Sequence, residues 1–482
     1  MLNTRPAFLV AIAIATASIA AQAADPSVPP VVQRLQRAAL EDARAYATLR
    51  SLTEEASPRF AGSEGDVKGV EWALRTLRAQ GFANVRAEPV TVPRWVRGDA
   101  RVQVIGQGEP LELAALALGG SIGTDGAPIE AEVVAATTVD ELERLAAADV
   151  AGKIVFLYDR MLETHDGMDY GPTVRNRSSG AIAAARLGAR ALVIRAIGTE
   201  DADRPHTGGM RYANGVPRIP AFAIGNRSAD RLLEMYARGP VKLRVSSTSR
   251  CEGTAQSANV IGEVPGRAAG TAGEEFVVLG AHLDSWDVGR GVQDDGAGVA
   301  TVMEAARRIA ELPQRPLRSL RVVLYANEEF GLSGGKRYVL DHEPDLRRHH
   351  GAIEADLGSG RVFRFESRVA GRDVPAAIEM AAWLEPLGVP FTSNDTGGGA
   401  DIGPLRERGV PVFELQHDAS KYFEIHHTEA DQLDRVEPRD LAFNVAAYAT
   451  VAWALAEGPA LQPLSRTWPT PVETVHPCEW QP

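Results

Sequence analysis

Apolar positions along the chain recur first every three or four residues and later in short runs separated by helical stretches. Residues 31–55 read as one polar-faced helix, and Ser63 opens a second in which Val67, Val70, Leu74 and Leu77 share a face until Gly81 ends it. Short β-type runs follow at 87–92 and 101–105, punctuated by Pro93 and Gly98. Between 122 and 249 the texture changes to a strand at 153–157, an Ala-rich helix at 179–187, a strand at 189–194, a run at 219–224 and a helix at 229–236. That is a small α/β unit of its own. Beyond Gly253 the pattern predicts strands at 276–281, 320–326, 352–355 and 412–415, alternating with helices at 296–310, 333–340 and 374–387. In the first of these helices Val299, Val302, Met303, Ala306 and Ile309 share one face. Alternation of this kind implies α/β architecture, a largely parallel mixed sheet with helices on both faces, and chemistry at the carboxyl ends of the strands.

Composition narrows the class. The 482 residues are 45% hydrophobic and 24% charged, which suits a soluble globular protein of two or three domains. A net charge of −12, with the basic residues spread among acids, excludes a nucleic-acid partner. Residues 1–23 carry Arg5, an apolar stretch at 8–20 and an Ala21-Gln22-Ala23 exit, the layout of a signal peptide cleaved after Ala23. The mature protein is therefore expected to be exported, periplasmic or secreted, and free of the membrane, because the apolar run falls short of the roughly 20 residues a bilayer needs. In that oxidising setting Cys251 and Cys478 can form a disulfide, two unpaired thiols being the alternative.

The last segment delivers ligand-type side chains at its strand ends. The first strand runs into His282-Leu283-Asp284, the following loop into Asp294-Asp295-Gly296, the next strand into Glu328-Glu329, a third into Asp356, and the last reaches His426-His427-Thr428 with Asp431 beyond. Singly each has a plain explanation; Asp294, for instance, could cap a helix. Together, two histidines and three carboxylates suit a pair of divalent metals, with one further carboxylate left over as a base for water. Zinc, cobalt and manganese overlap in such preferences. His165 and His206 have no second ligand at metal-binding spacing and read as ordinary surface residues.

The stretches His282-Leu283-Asp284-Ser285-Trp286-Asp287, Asp294-Asp295-Gly296, Ala326-Asn327-Glu328-Glu329, Glu354-Ala355-Asp356 and His426-His427-Thr428 resemble the co-catalytic zinc exopeptidase family of secreted aminopeptidases and glutamate carboxypeptidases, its carboxypeptidase Q branch most of all. The runs Ala151-Gly152-Lys153-Ile154-Val155 and Ile219-Pro220-Ala221 resemble the protease-associated domain inserted in several exopeptidases. The resemblance implies a catalytic domain in two parts, 24–121 and 250–482, around an insert at 122–249, and two zinc ions per chain. It implies that Asp294 bridges the metals, that His282 and Asp356 complete one site and Glu329 and His427 the other, with His426 as the alternative to His427. Glu328 would be the general base, and a cis peptide would join Asp294 and Asp295.

Asp284 is expected to orient His282, and Asp431 to do the same for His427. In the Gly-rich loop 393–401, Asp401 either holds a substrate α-ammonium or caps the following helix; Tyr422 and Trp286 either wall the pocket or pack. The resulting expectation is an exopeptidase acting on peptide N-termini or dipeptides. A single-zinc glutaminyl-cyclase-like enzyme and a non-catalytic binding protein on the same scaffold are the alternatives, and a homodimer is left open.

Overall fold

The computed structural model describes residues 28–106, 108–467, 474–475 and 478, so the expected signal peptide lies outside the described residues. Two eight-stranded sheets organise the chain. The first runs in the order Ala83–Val96, Arg250–Val264, Ser319–Tyr325, Phe276–His282, His349–Glu354, Val412–His417, Val362–Arg368 and Phe391–Ser393. Its centre is parallel: Phe276–His282 lies between Ser319–Tyr325 and His349–Glu354, with Val412–His417 next. The flanking pairings of Arg250–Val264 and Val362–Arg368 are antiparallel.

The three central strands are buried along their whole length, which is why they read as unbroken apolar runs rather than as alternation. Successive side chains leave opposite faces. Val277, Leu279 and Ala281 pack with Val299, Met303 and Leu455 on one side, while Val278, Val323 and Ala352 meet Tyr338, Val339 and Leu405 on the other. The parallel strands thus end together at one edge, clear of both helical layers.

Several elements depart from the sequence expectation for local reasons. The helix expected over 31–55 is two, Pro30–Leu40 and Arg44–Glu55, parted where the Asp42 carboxylate accepts the N–H of Arg44 at 2.8 Å. Ser63 does cap Glu64–Ala79, accepting the Asp66 N–H at 3.2 Å, but the buried face is Gly69, Trp72, Ala73 and Leu77, and Val67 is 50% exposed. The Trp72 indole, bonded to Ser51 Oγ at 2.9 Å, sits on that buried face, with Val70 and Leu74 packed against the same core. The helix expected to reach 387 ends at Ala382, followed by a 3₁₀ turn Glu385–Leu387, because Pro386 disfavours helical backbone at the residue before it. Ala83–Val96 runs longer than 87–92; as an edge strand it tolerates Pro89 and Pro93.

The second sheet lies wholly within residues 100–247, and it begins upstream of the expected boundary at 122. Ala100–Ile105 pairs with Lys242–Ser247, Leu111–Leu113 with Ala100–Ile105, and Ala115–Ala117 with Ala221–Ile224. The first and third of these pairings span more than 100 residues, so the strands at 100–105 and 115–117 join the unit through partners far along the chain. Cys251 and Cys478 form a disulfide with their Cα atoms 5.4 Å apart. Among the described residues no helix is long and apolar enough to cross a membrane.

Candidate active site

At the carboxyl edge of the first sheet, His282 closes its strand, Glu328 and Glu329 follow Ser319–Tyr325, and Asp356 follows His349–Glu354. Asp294 enters from the loop before helix Ala297–Ala310, and His426 and His427 from the turn after Tyr422–Ile425. Asp294 is central. Its Oδ1 lies 3.1 Å from His282 Nε2, which is 3.2 Å from Asp356 Oδ1; its Oδ2 lies 3.2 Å from His427 Nε2, which is 2.9 Å from Glu329 Oε2. One carboxylate thus divides its oxygens between two histidine–carboxylate pairs.

The imidazole tautomers decide what this arrangement suits. His282 Nδ1 faces the Asp284 carbonyl at 3.1 Å and His427 Nδ1 the Thr207 carbonyl at 3.2 Å, so each Nδ1 carries the proton and donates. Each Nε2 then faces carboxylate oxygens about 3 Å away. Ligands 2.0–2.1 Å from a tetrahedral zinc stand about 3.3 Å apart, so a cation between these atoms fits the spacing. Asp294 Oδ2 and Glu329 Oε1 are buried without a hydrogen-bond donor. His426 stacks on His427 with ring centroids 3.5 Å apart, and its Nε2 is 3.5 Å from Asp294 Oδ2.

Of the two supporting acids, Asp284 stays beside His282 as expected and Asp431 does not stay beside His427. The Asp284 carboxylate stands 3.7 Å from His282 Nδ1; its backbone carbonyl takes that proton, and its Oδ1 accepts the Glu328 N–H at 3.0 Å. Asp431 serves the bridging loop rather than His427, accepting the N–H groups of Gln293 at 2.7 Å and Asp294 at 3.3 Å. Asp295, joined to Asp294 by a cis peptide, accepts N–H from His282 and Gly298, so the helix-capping role considered for Asp294 falls to its neighbour. Burial pushes the Glu328 carboxyl well above its usual range, His282 opposing and Asp356, Asp284 and Asp294 adding to the push. Burial also works against charge on Asp294, yet His282 and His427 hold its carboxyl well below the usual range.

Neither role considered for Asp401 is seen. Helix Gly403–Glu407 has no side-chain cap, and Asp401 is fully buried away from the cavity, both carboxylate oxygens without a partner. The Glu354 carboxylate accepts the N–H groups of Asp401 and Ile402, which turns the Asp401 side chain inward, against Gly335. Tyr422 does line the cavity, while Trp286 packs in a cluster with Phe60, Trp95 and Phe330.

A cavity of about 730 Å³ opens over Glu328, Asp356 and His427, and its far wall comes from the second unit through Tyr170, Arg177 and Met210. Arg177 donates to Tyr170 Oη at 2.7 Å and to the Thr207 carbonyl at 3.1 Å, and its Nη1 lies 3.4 Å from His427 Nδ1. Sequence reading missed these residues, since no ligand spacing marks them. The guanidinium fits there because position 208 is glycine: a Cβ would fall 2.2 Å from the Arg177 guanidinium carbon. His165 is exposed as expected, but His206 is buried beside the site, and burial, with the His427 charge, pushes its pKa down to about 3.

A mixed α/β sheet with paired histidine and carboxylate groups at its parallel strand ends is the architecture of a metallopeptidase. A profile described as Peptidase family M28 matches residues 259–452. Carboxypeptidase Q from Bos taurus is 34% identical over 433 residues, covering 88% of this chain and 87% of its own, and the Homo sapiens protein is 33% identical over 427 residues with the same coverage. The crystal structure of a peptidase M28 precursor from Shewanella amazonensis SB2B superposes with a TM-score of 0.87 at 43% identity, over 91% of this chain and 98% of that one. An aminopeptidase from Aneurinibacillus sp. strain AM-1 shares the fold, with a TM-score of 0.61 at 20% identity over 91% of this chain and 100% of that one. The chain belongs to peptidase family M28.

Proposed function

We propose that the mature chain is an exported di-zinc exopeptidase that removes N-terminal residues from peptides or splits dipeptides. The observation that carries this is the division of Asp294, Oδ1 toward His282 and Asp356 and Oδ2 toward His427 and Glu329, with each Nε2 between 2.9 and 3.2 Å from two carboxylate oxygens. Those five side chains would hold the ions, and His427 is preferred over His426 because it alone of the two is paired with Glu329. Bound there, the metals would supply Lewis-acid polarisation of the scissile carbonyl and make water acidic enough to act near neutral pH.

The remaining work falls to the chain. Glu328, on the cavity wall, takes the proton of the attacking water and returns it to the leaving amine. The Asp284 bond to the Glu328 N–H fixes the backbone from which that carboxylate projects. The second-sheet unit, of protease-associated type in this reading, closes the cavity opposite Glu328 and so limits what extends beyond the scissile bond.

Hydrolysis of a panel of aminoacyl chromogenic substrates and free dipeptides, with and without chelator, tests the reading. Chelator-sensitive cleavage supports it. A purified protein that cleaves neither class in the presence of zinc refutes it.

A further inference from the structure

We propose that Arg59 is a positioning residue of this metal centre, its guanidinium clamping both ends of loop 283–291 so that His282 and Asp294 keep their mutual placement. The inference rests on the di-metal reading above. Arg59 lies outside every motif considered so far, in Ser57-Pro58-Arg59-Phe60 ahead of the Ser63 helix, and its side chain is fully buried.

Its Nε donates to the Leu283 carbonyl at 2.6 Å, Nη1 to the Arg290 carbonyl at 3.0 Å and Ser57 Oγ at 3.3 Å, and Nη2 to the Gly291 carbonyl at 2.8 Å. Its backbone is tied to the same loop, the N–H to Ser285 Oγ at 3.0 Å and the carbonyl from the Ser285 N–H at 3.3 Å. Leu283 directly follows His282, and Gly291 precedes Asp294 by three residues. One planar, rigid group therefore grips the chain just after one ligand and just before the other.

Room has been made for it. A Cβ on Gly69 would come 3.3 Å from Arg59 Cδ, and one on Gly291, at φ +59, 2.9 Å from Nη2. All four side-chain bonds go to carbonyls and a hydroxyl, none to a carboxylate. A buried cation so placed is costly unless its charge is answered. Burial lowers the Arg59 pKa, and the charges that oppose this belong to Asp431, Asp284, Asp295 and Asp294, the acids of the metal centre and its supports. Lysine would keep the charge but lose the fork that reaches three carbonyls in one plane.

The test uses the mature protein and its R59K and R59M variants. Zinc affinity is measured by competition with a chelator, kcat and KM on the best substrate of the wild type, the visible absorption of the Co²⁺-loaded form, and thermal melting. R59M should lose about 10- to 100-fold in metal affinity, lower kcat with KM nearly unchanged, and give an altered Co²⁺ spectrum, R59K falling between. A merely structural arginine would lower the melting temperature alone. If R59M gives no cooperative melt, Ser285→Ala, which removes one tie of the same clamp, should shift affinity and spectrum in the same direction by less; an unchanged S285A then overturns the inference. A folded R59M with wild-type affinity, spectrum and kcat also overturns it. A wild-type chain that binds no metal overturns the di-metal reading and this inference together, so the two failures are told apart by the wild-type arm.

Discussion

The backbone N–H of Thr207 donates to the His427 carbonyl at 3.0 Å, and the Nδ1–H of His427 donates back to the Thr207 carbonyl at 3.2 Å. The exchange joins a loop of the second-sheet unit to a ligand-type histidine of the first. It also holds His427 at φ 62, a backbone conformation that costs a non-glycine residue on the order of 1 kcal/mol or more. Arg177 braces the same carbonyl from within the second unit. Replacing Arg177 with Met should therefore weaken zinc binding or turnover by about 10- to 100-fold although no proposed ligand is touched. Chelator competition and steady-state kinetics check this, and wild-type values in a folded R177M would remove the second unit from the account of the site.

Glu328 and the ligands should separate cleanly. Glu328→Gln keeps the shape of the side chain and removes its basicity, so two metals should stay bound while kcat falls by about 10²- to 10⁴-fold. Metal analysis beside turnover decides it; loss of a metal in E328Q would mean that base and ligand have been confused.

The adjacent histidines differ in one contact, that of His427 Nε2 with Glu329 Oε2 at 2.9 Å. His427→Ala should reduce zinc to about one ion per chain, whereas His426→Ala should retain two and lose mainly the stacking at 3.5 Å. The reverse outcome would move the ligand to His426.

Stability should fall in acid for reasons remote from the metals. Burial, with the charge of Arg321, pushes the His349 pKa down to about 3, and burial likewise pushes His350 to about 3 and His417 to about 4. Each is held neutral in the folded chain but titrates near 6.5 when unfolded. The unfolded state then binds more protons, so the stability each histidine contributes is complete above about pH 6.5 and drains away as pH falls toward the folded value. His349, bonded to Tyr338 Oη at 2.9 Å, isolates the effect. Between about pH 6 and 4, His349→Gln should flatten the pH dependence of urea-unfolding free energy by about 1.4 kcal/mol per unit. Equal slopes for both chains would contradict the assignment.

The parts of the molecule legible in the sequence are those whose cause is local. Buried parallel strands announce themselves as apolar runs, and His282, Glu328, Glu329 and Asp356 follow such runs directly, so the edge where they gather could be read from order alone. What depends on distant pairing could not. The strands at 100–105 and 115–117 belong to the second sheet through partners more than 100 residues downstream. Asp431 looked like a support for His427 because it is near in sequence, yet it bonds the backbone at 293 and 294 across the fold. Asp401 looked like a pocket acid until Glu354 drew its backbone inward. Arg59, Arg177 and His206 carry no spacing signal, because their partners are backbone carbonyls, hydroxyls or burial itself.

The central claim is that Asp294 is shared by two metals, and the most direct measurement is zinc stoichiometry by titration of the metal-free mature protein, alongside Asp294→Ala. The account predicts about two zinc ions per wild-type chain, and in D294A the loss of tight binding at both positions, since each loses one carboxylate oxygen. A wild-type chain that saturates at one zinc, or a D294A chain that still binds two as tightly, would contradict it.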